Sequence, residues 1–152
     1  ITVRAGTVDD HREVASLRYR MDTEDDSPSG SPADFAATFD QWLDRHGDAW
    51  EFFVAEDDGH LIGMLWLAKV PRIPRPSNPC PPPIGYVTAF FVEERYRNVG
   101  VGQALLTAMN SAAEQLPYET LVVWPSERAA SAYHRAGFHP PEELFERPIL
   151  HS

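Results

Sequence analysis

Val92-Glu93-Glu94-Arg95-Tyr96-Arg97-Asn98-Val99-Gly100-Val101-Gly102-Gln103-Ala104-Leu105-Leu106 is the stretch on which the fold turns. Upstream of it, Ile84 to Val92 is rich in β-branched and aromatic residues, the composition of a strand. The charged residues after Val92 read as a short turn, and the apolar positions beyond Gly102 recur at helical spacing. Glycines at 100 and 102, where a turn opens a helix, let the backbone approach a ligand with no Cβ in the way. The first N–H groups of that helix lack an intrahelical partner, and the helix dipole adds positive potential. A phosphate or pyrophosphate is the natural guest of such a terminus.

Two other glycine motifs fail against these letters. A dinucleotide-binding turn needs a third glycine where the chain has Leu105, and a P-loop needs Lys-Ser/Thr where it has Gln103-Ala104. The strand, the spacing and Arg97-x-x-Gly100-x-Gly102 together resemble the acetyl-CoA-binding signature of the Gcn5-related N-acetyltransferase (GNAT) superfamily. Further on, Ser126-Glu127-Arg128-Ala129-Ala130-Ser131-Ala132-Tyr133-His134-Arg135-Ala136-Gly137-Phe138 is similar to that family's other cofactor-contacting helix, Asn-x-x-Ala-x-x-x-Tyr-x-x-x-Gly-Phe. Ala129, Tyr133, Gly137 and Phe138 fall on the pattern, and Ser126 replaces the usual Asn. With both motifs in order, the resemblance covers essentially the whole chain.

Bulk composition agrees. A chain of 152 residues is expected to form a single domain, 1–152, with a sizeable core. Hydrophobic residues make up 43% of it, which fits a globular protein. A net charge of −10 disfavours nucleic-acid and anionic-membrane partners and is compatible with a cationic substrate. No apolar stretch approaches a membrane span and no signal peptide is visible at the start, so a cytoplasmic location is expected. Cys80 is the only cysteine, which excludes an intrachain disulfide, and it reads as an incidental surface thiol in a proline-rich loop. The histidines show no metal-binding spacing, so no metal is expected.

Along the chain, Thr2 to Ala5 reads as a first strand. Thr7 or Asp9 caps a helix carrying Val14, Leu17, Arg18 and Met21. Glu24 to Ser31 is an acidic loop, and Ser31-Pro32 opens a helix with an apolar stripe of Phe35, Phe39, Trp42 and Leu43. Trp50 to Glu56 and Leu61 to Lys69 flank Asp57-Asp58-Gly59-His60, a hairpin signal. Seven prolines in the thirteen residues Pro71 to Pro83 make a stiff connection. Ile84 to Val92 is then a central strand, Asn98 to Leu116 a helix and Leu121 to Trp124 a strand. Ser126 caps the last helix, Gly137 ends it, and Leu144 to Ile149 is expected as a final strand. The order β-α-α-β-β-β-α-β-α-β predicts a mixed α/β fold with a largely antiparallel sheet. The resemblance implies six or seven strands flanked by about four helices, with the central strands splayed to admit the cofactor.

What the resemblance implies about chemistry is transfer of an acetyl group from acetyl-CoA directly to a primary amine of a small cationic molecule or a peptide. Main-chain N–H groups of Asn98, Val99, Gly100, Val101, Gly102 and Gln103 would cradle the pyrophosphate, with Arg97 either adding charge or bonded locally. The main chain of Phe90, Phe91 and Val92 would pair with the pantetheine arm like an added strand. An N–H at Phe91 or Val92 would face the thioester oxygen. Ser126 stands at the start of the second cofactor-contacting segment. Tyr133 takes the position of the general acid, although its spacing with Ala129 and Ala136 also fits a core tyrosine. No residue is named as base. The central strand offers only Thr88 and no carboxylate, Glu93 and Glu94 lie in the turn, and Glu24, Asp25 and Asp26 follow the first helix. Met21, Trp42, Trp66 and Tyr86 are candidates for an apolar wall beside the thioester, and His134 faces away from Tyr133. Cys80 has no histidine beside it and is a poor nucleophile for a covalent route. The rival reading is a non-catalytic acyl-CoA-binding sensor. The resemblance also allows a homodimer.

Overall fold

The computed structural model describes residues 1–24 and 30–150, so Asp25 and Asp26 lie outside the described residues. The chain runs β1 (Thr2–Ala5), α1 (His11–Thr23), α2 (Pro32–His46), β2 (Trp50–Asp57), β3 (His60–Val70), β4 (Ile84–Val92), α3 (Val101–Gln115), β5 (Thr120–Val123) and α4 (Ala130–Arg135). The strands form one sheet in the order β1-β2-β3-β4-β5. The first three pairings are antiparallel, and β4 runs parallel to β5. The expected mixed, largely antiparallel fold with four helices is therefore present, with two corrections.

The sheet has five strands among the described residues, not six or seven. Leu144 to Ile149 forms no strand: Pro140, Pro141 and Pro148 cannot donate to a ladder, and Leu144, Phe145 and Ile149 are exposed. The middle strand is β3, whose residues Leu61 to Ala68 are all buried, and β4 lies between β3 and β5.

Local signals explain the elements. Ser31 Oγ accepts the Asp34 N–H at 3.1 Å and starts α2 at Pro32. In the β2–β3 hairpin, Asp58 and Gly59 take φ of 51° and 80°, the left-handed pair that a two-residue turn requires. Thr7, not Asp9, begins the first helical segment: its N–H donates to Asp10 Oδ2 at 2.8 Å, and a single 3-10 turn (Val8–Asp10) leads into α1. The proline segment adds no strand and carries only an isolated bridge between Arg75 and Asn78.

Side chains alternate between two cores. On one face α3 and Tyr133 cover Phe53, Leu65, Leu67, Val87 and Val92, with Leu105, Leu106 and Met109 fully buried. On the other, α1 and α2 cover Phe52, Val54, Met64, Trp66 and Phe91 through Val14, Leu17, Phe39 and Trp42. Each fully buried Leu, Met or Phe contributes roughly 1.5–3 kcal/mol. Both faces of the sheet are thus anchored, and the open features of the fold lie at one end of β4.

Candidate functional site

β4 and β5 part company halfway along β4. They pair from Ile84↔Thr120 to Val87↔Val123, and then β5 ends at Trp124-Pro125 while β4 continues to Val92. From Thr88 to Val92 the β5 side of β4 has no strand partner among the described residues. On its other side the ladder with β3 slips: Met64 pairs with Phe91, but Trp66 pairs with Thr88. The extra residue is a bulge, and Ala89 adopts φ 54° to make it. A non-glycine residue in that region is held by its surroundings. The bulge resets the alternation. Phe90 turns to the α3 side, Phe91 to the α1 side at 7% exposure, and Val92 back to the α3 core. Glu93 N–H bonds Ile62 O at 2.9 Å across to β3, so strand alternation turns the Val92 amide to the open edge.

The turn after β4 delivers the chain to α3. Asn98 (φ 63°) and Gly100 (φ 92°) are both left-handed, and the first bond of the helix runs from Ala104 N–H to Gly100 O at 3.0 Å. The amides of Val101, Gly102 and Gln103 therefore precede the helical ladder. The two glycines do different things. Around Gly100 there is open space, and only its φ demands glycine. At Gly102 a Cβ would stand 3.0 Å from Phe90 Cζ. Gln103 Oε1 is buried without a hydrogen-bond partner among the described residues, an acceptor left over on the first turn of the helix. Val99 is 68% exposed.

Arg97 is bonded locally. Its Nε donates to Val92 O at 2.7 Å, its Nη2 to Glu24 Oε2 at 2.9 Å, and its guanidinium covers the Phe91 ring. The same arginine, chiefly through that hydrogen bond, holds the Glu24 carboxyl below the usual carboxylate range. Glu93 of the turn is paired with Arg20 of α1, its side chain only 16% exposed. The end of α1 is thus fastened to the turn by two ion pairs of opposite sense, Arg20–Glu93 and Glu24–Arg97.

Across the fork, Ser126 O accepts the N–H groups of Ala129 and Ala130 at 3.1 and 3.0 Å, and Ser126 Oγ accepts that of Ala129 at 3.3 Å. This turn leads into α4, where Tyr133 is 3% exposed between the rings of Phe90 and Phe138, at 5.5 and 5.2 Å. Burial alone pushes the phenol above its ordinary value. Gly137 (φ 98°) closes α4, with Phe138 N–H on Tyr133 O at 3.0 Å and Gly137 N–H on His134 O at 3.1 Å.

The other candidates divide. Trp66 is core, stacked on Phe52 at 4.4 Å, and Met21 and Trp42 pack on the same cluster. Tyr86 alone reaches the fork, where Trp124 lies edge-on to it at 5.6 Å and is 66% exposed. His134 and Cys80 are exposed. Among the described residues no group of His, Cys, Asp or Glu could hold a metal ion, and no helix is long and apolar enough to cross a membrane. Two surface hollows, one lined by Arg18, Tyr19, Asp22, Thr23 and Phe35 and one by residues of the proline segment, contain no β4 residue. The candidate site is an open strand edge and not one of these hollows. Sequence alone gave no sign of the Ala89 bulge or the Glu24 ion pairs, since an alanine carries no turn signal and the pairs join distant segments.

A mixed sheet whose parallel strands fork beside a glycine-started helix is the fold that the resemblance implies. Comparison with known proteins narrows it. The profile of the Acetyltransferase (GNAT) family matches residues 14–138, and the chain belongs to that family. Over 128 residues it is 29% identical to a mycothiol acetyltransferase of Parafrankia sp. (strain EAN1pec), a match covering 73% of this chain. The chain spans 40% of the length of that relative. Among solved structures, a GCN5-related N-acetyltransferase from Ralstonia eutropha JMP134 is 25% identical, with a TM-score of 0.72 and 97% of both chains covered. A predicted acetyltransferase with acetyl-CoA from Clostridium acetobutylicum, at 19% identity, superposes with a TM-score of 0.74 over 97% of this chain and 96% of the other, and so shares the fold.

Proposed function

We propose that this chain transfers an acetyl group from acetyl-CoA directly to the primary amine of a small cationic molecule or a peptide, in the cytoplasm. The observation that carries the reading is the unpaired edge of β4 from Thr88 to Val92, running into the free amides of the first turn of α3 with Tyr133 behind it. These groups fit the donor: an extended arm with amides, a pyrophosphate and a thioester. The orphaned Gln103 Oε1 adds an acceptor for one of its N–H or O–H groups.

In this reading the donor supplies an activated acyl thioester. The main chain of Phe90 to Val92 binds its arm as an added strand. The Val92 N–H faces the thioester oxygen and takes up negative charge as it develops. Amides from Asn98 to Gln103 hold the pyrophosphate. The acceptor amine, deprotonated through water, attacks the carbonyl carbon. A C–N bond forms and the C–S bond breaks, and the Tyr133 hydroxyl gives its proton to the departing sulfur. The second proton lost from nitrogen returns to the phenolate through water. Burial raises the phenol above about 10, and it raises the basicity of a thiolate formed in the same dry site, so the transfer is not left strongly uphill. Two of the candidate carboxylates, Glu24 and Glu93, are both ion-paired. This supports deprotonation through water.

Calorimetric titration with acetyl-CoA and desulfo-CoA, followed by thiol release across a panel of amines, tests the reading. Binding with turnover on an amine is expected. Binding without turnover on any amine would favour a non-catalytic acyl-CoA sensor, and absence of binding would overturn both.

A further inference from the structure

We infer that the aromatic corner of Tyr86 and Trp124, with the Glu146 carboxylate beside it, binds a second cationic group of the acceptor. The substrate class is then an amine that carries a separate positive charge on the same molecule, an inference that rests on the amine-acetylating reading above. The corner lies on the side of the sheet away from Tyr133. Leu121 and Val123 of β5 pack on the α3 core, so alternation turns Val122 and Trp124 to the opposite face. Tyr86 is on that face too, edge-on to Trp50 at 6.1 Å and to Trp124 at 5.6 Å, and Trp50 packs on the α1–α2 core. The α3 side of the fork is filled by the rings of Phe90 and Tyr133. Trp124, in contrast, leaves most of its indole open where β5 leaves β4.

Glu146 decides what this surface takes. It belongs to the segment after α4, which forms no helix or strand, yet its Oε2 accepts the Trp124 Nε1–H at 2.9 Å. The donor of that bond is neutral, so the carboxylate keeps its charge. Among the described residues Glu146 enters no ion pair, whereas Glu24, Glu56, Glu93 and Glu119 each do. A cation over the indole meets the negative face of the π system and the nearby carboxylate together. A neutral apolar group would gain the ring alone, and an anion would be repelled by Glu146.

The position of the corner sets the shape of the acceptor. Val123 pairs with Val87, so Trp124 stands level with Thr88, while the proposed contact to the thioester is the Val92 amide further along β4. At the rise of a strand that separation is roughly 10 Å. An acceptor that reaches both places is extended, with the reacting amine at one end and the second charge at the other.

The test uses two probes with the same primary amine and linker: hexylamine terminated by trimethylammonium, and its neutral isostere terminated by tert-butyl. Each is titrated calorimetrically into wild type, Trp124→Leu and Glu146→Gln in the presence of desulfo-CoA, with the melting midpoint of each protein. Wild type is expected to bind the charged probe about tenfold more tightly than the neutral one. In each variant that preference should fall to about threefold or less. The melting midpoints should be unchanged, because both side chains are exposed. In thiol-release assays with acetyl-CoA the same preference should appear in KM and not in kcat. Equal affinity of wild type for the two probes, or a preference unchanged in both variants, would overturn the inference. A wild type that prefers the charged probe through Trp124 and Glu146 but releases no thiol would support the cation site and overturn the transferase reading instead.

Discussion

The ring of Phe90 meets that of Tyr133 edge to face, with centroids 5.5 Å apart, and its far edge lies where a side chain on Gly102 would stand. One side chain therefore joins the open strand, the first turn of α3 and the buried phenol. The bulge at Ala89 makes this possible, because without the extra residue Phe90 would point to the α1 face. The proposed cradle and the proposed acid are held at a fixed separation by packing, which is the condition for a positioned proton donor.

Tyr133→Phe removes the hydroxyl and leaves that packing intact. Turnover should fall about a hundredfold or more while the Kd for acetyl-CoA stays within about twofold of wild type. Burial alone, with no hydrogen bond contributing, raises the wild-type phenol, so the melting midpoint should hardly move. In the proposed mechanism Tyr133 acts in its protonated form, and because its pKa is raised that form persists upward in pH. A pH–rate profile should therefore show no alkaline decline assignable to Tyr133 below about pH 10. Unchanged turnover in the variant would remove Tyr133 from the mechanism.

Most of this frame was legible in the letters, because it is written locally. Strand composition, the hairpin turn at Asp58-Gly59 and the proline at Pro32 each act within a few residues, and β1, α2, β2, β3 and β4 follow them closely. Tyr133 and its closing Gly137-Phe138 could be read for the same reason. What stayed hidden depends on distant partners or on strain. The Glu24–Arg97 and Arg20–Glu93 pairs each span 73 residues. The left-handed Ala89 is imposed by the register between β3 and β4, since nothing in an alanine prefers it. The expected last strand failed because Pro148 interrupts the stretch and its apolar residues Leu144, Phe145 and Ile149 stay exposed.

Substitution of the two glycines of the turn should separate stability from function. Gly100→Ala meets no atom within 4 Å but must hold φ 92°, costing about 1–2 kcal/mol. In a chain of this size that lowers Tm by roughly 3–6 °C. Gly102→Ala has ordinary helical geometry and gains helix propensity, so Tm should shift by no more than about 2 °C. Its Cβ presses on Phe90, however, at 3.0 Å. Displacing that ring moves both the β4 edge and Tyr133, so Gly102→Ala should lose more turnover than Gly100→Ala despite the smaller change in Tm. The opposite ranking would separate Phe90 from the site.

Ala89 tests the bulge itself. Glycine at 89 would relieve the φ of 54° but lose about as much through the greater freedom of the unfolded chain, leaving stability within about 0.5 kcal/mol of wild type and turnover retained. Valine cannot take that conformation without a cost of about 2 kcal/mol or more. Ala89→Val should therefore either destabilise the protein by that amount or straighten β4, and in both cases turnover falls. Urea unfolding of the two variants beside a thiol-release assay decides the matter. A fully stable and active valine variant would mean that the left-handed backbone at 89 is dispensable.

Stability should also depend on acid through Asp10, the one buried charged residue among those described, at 7% exposure. Its oxygens accept two hydrogen bonds from Arg4, at 2.8 and 2.9 Å, and one from the Thr7 N–H at 2.8 Å. Arg4, through its hydrogen bonds, is the main reason that the carboxyl lies below its ordinary value. A depressed carboxylate contributes its stability above the unfolded pKa, about 3.9, and loses it as pH falls through the folded value. Arg4 is 34% exposed and keeps Glu56 at 3.2 Å, so solvent and a second partner limit the loss when Asp10 is neutralised. Asp10→Asn should cost about 2 kcal/mol at pH 7, from the charged pair and the start of α1 together. As the pH is lowered from 7 to below the ordinary carboxylate range, the wild-type carboxyl takes up its own proton and the gap between the two proteins should shrink towards zero. Urea titrations of both proteins at the two ends of that range measure this directly. A gap that stays constant with pH would mean that Asp10 acts through shape and neutral hydrogen bonding, with its charge irrelevant to the fold.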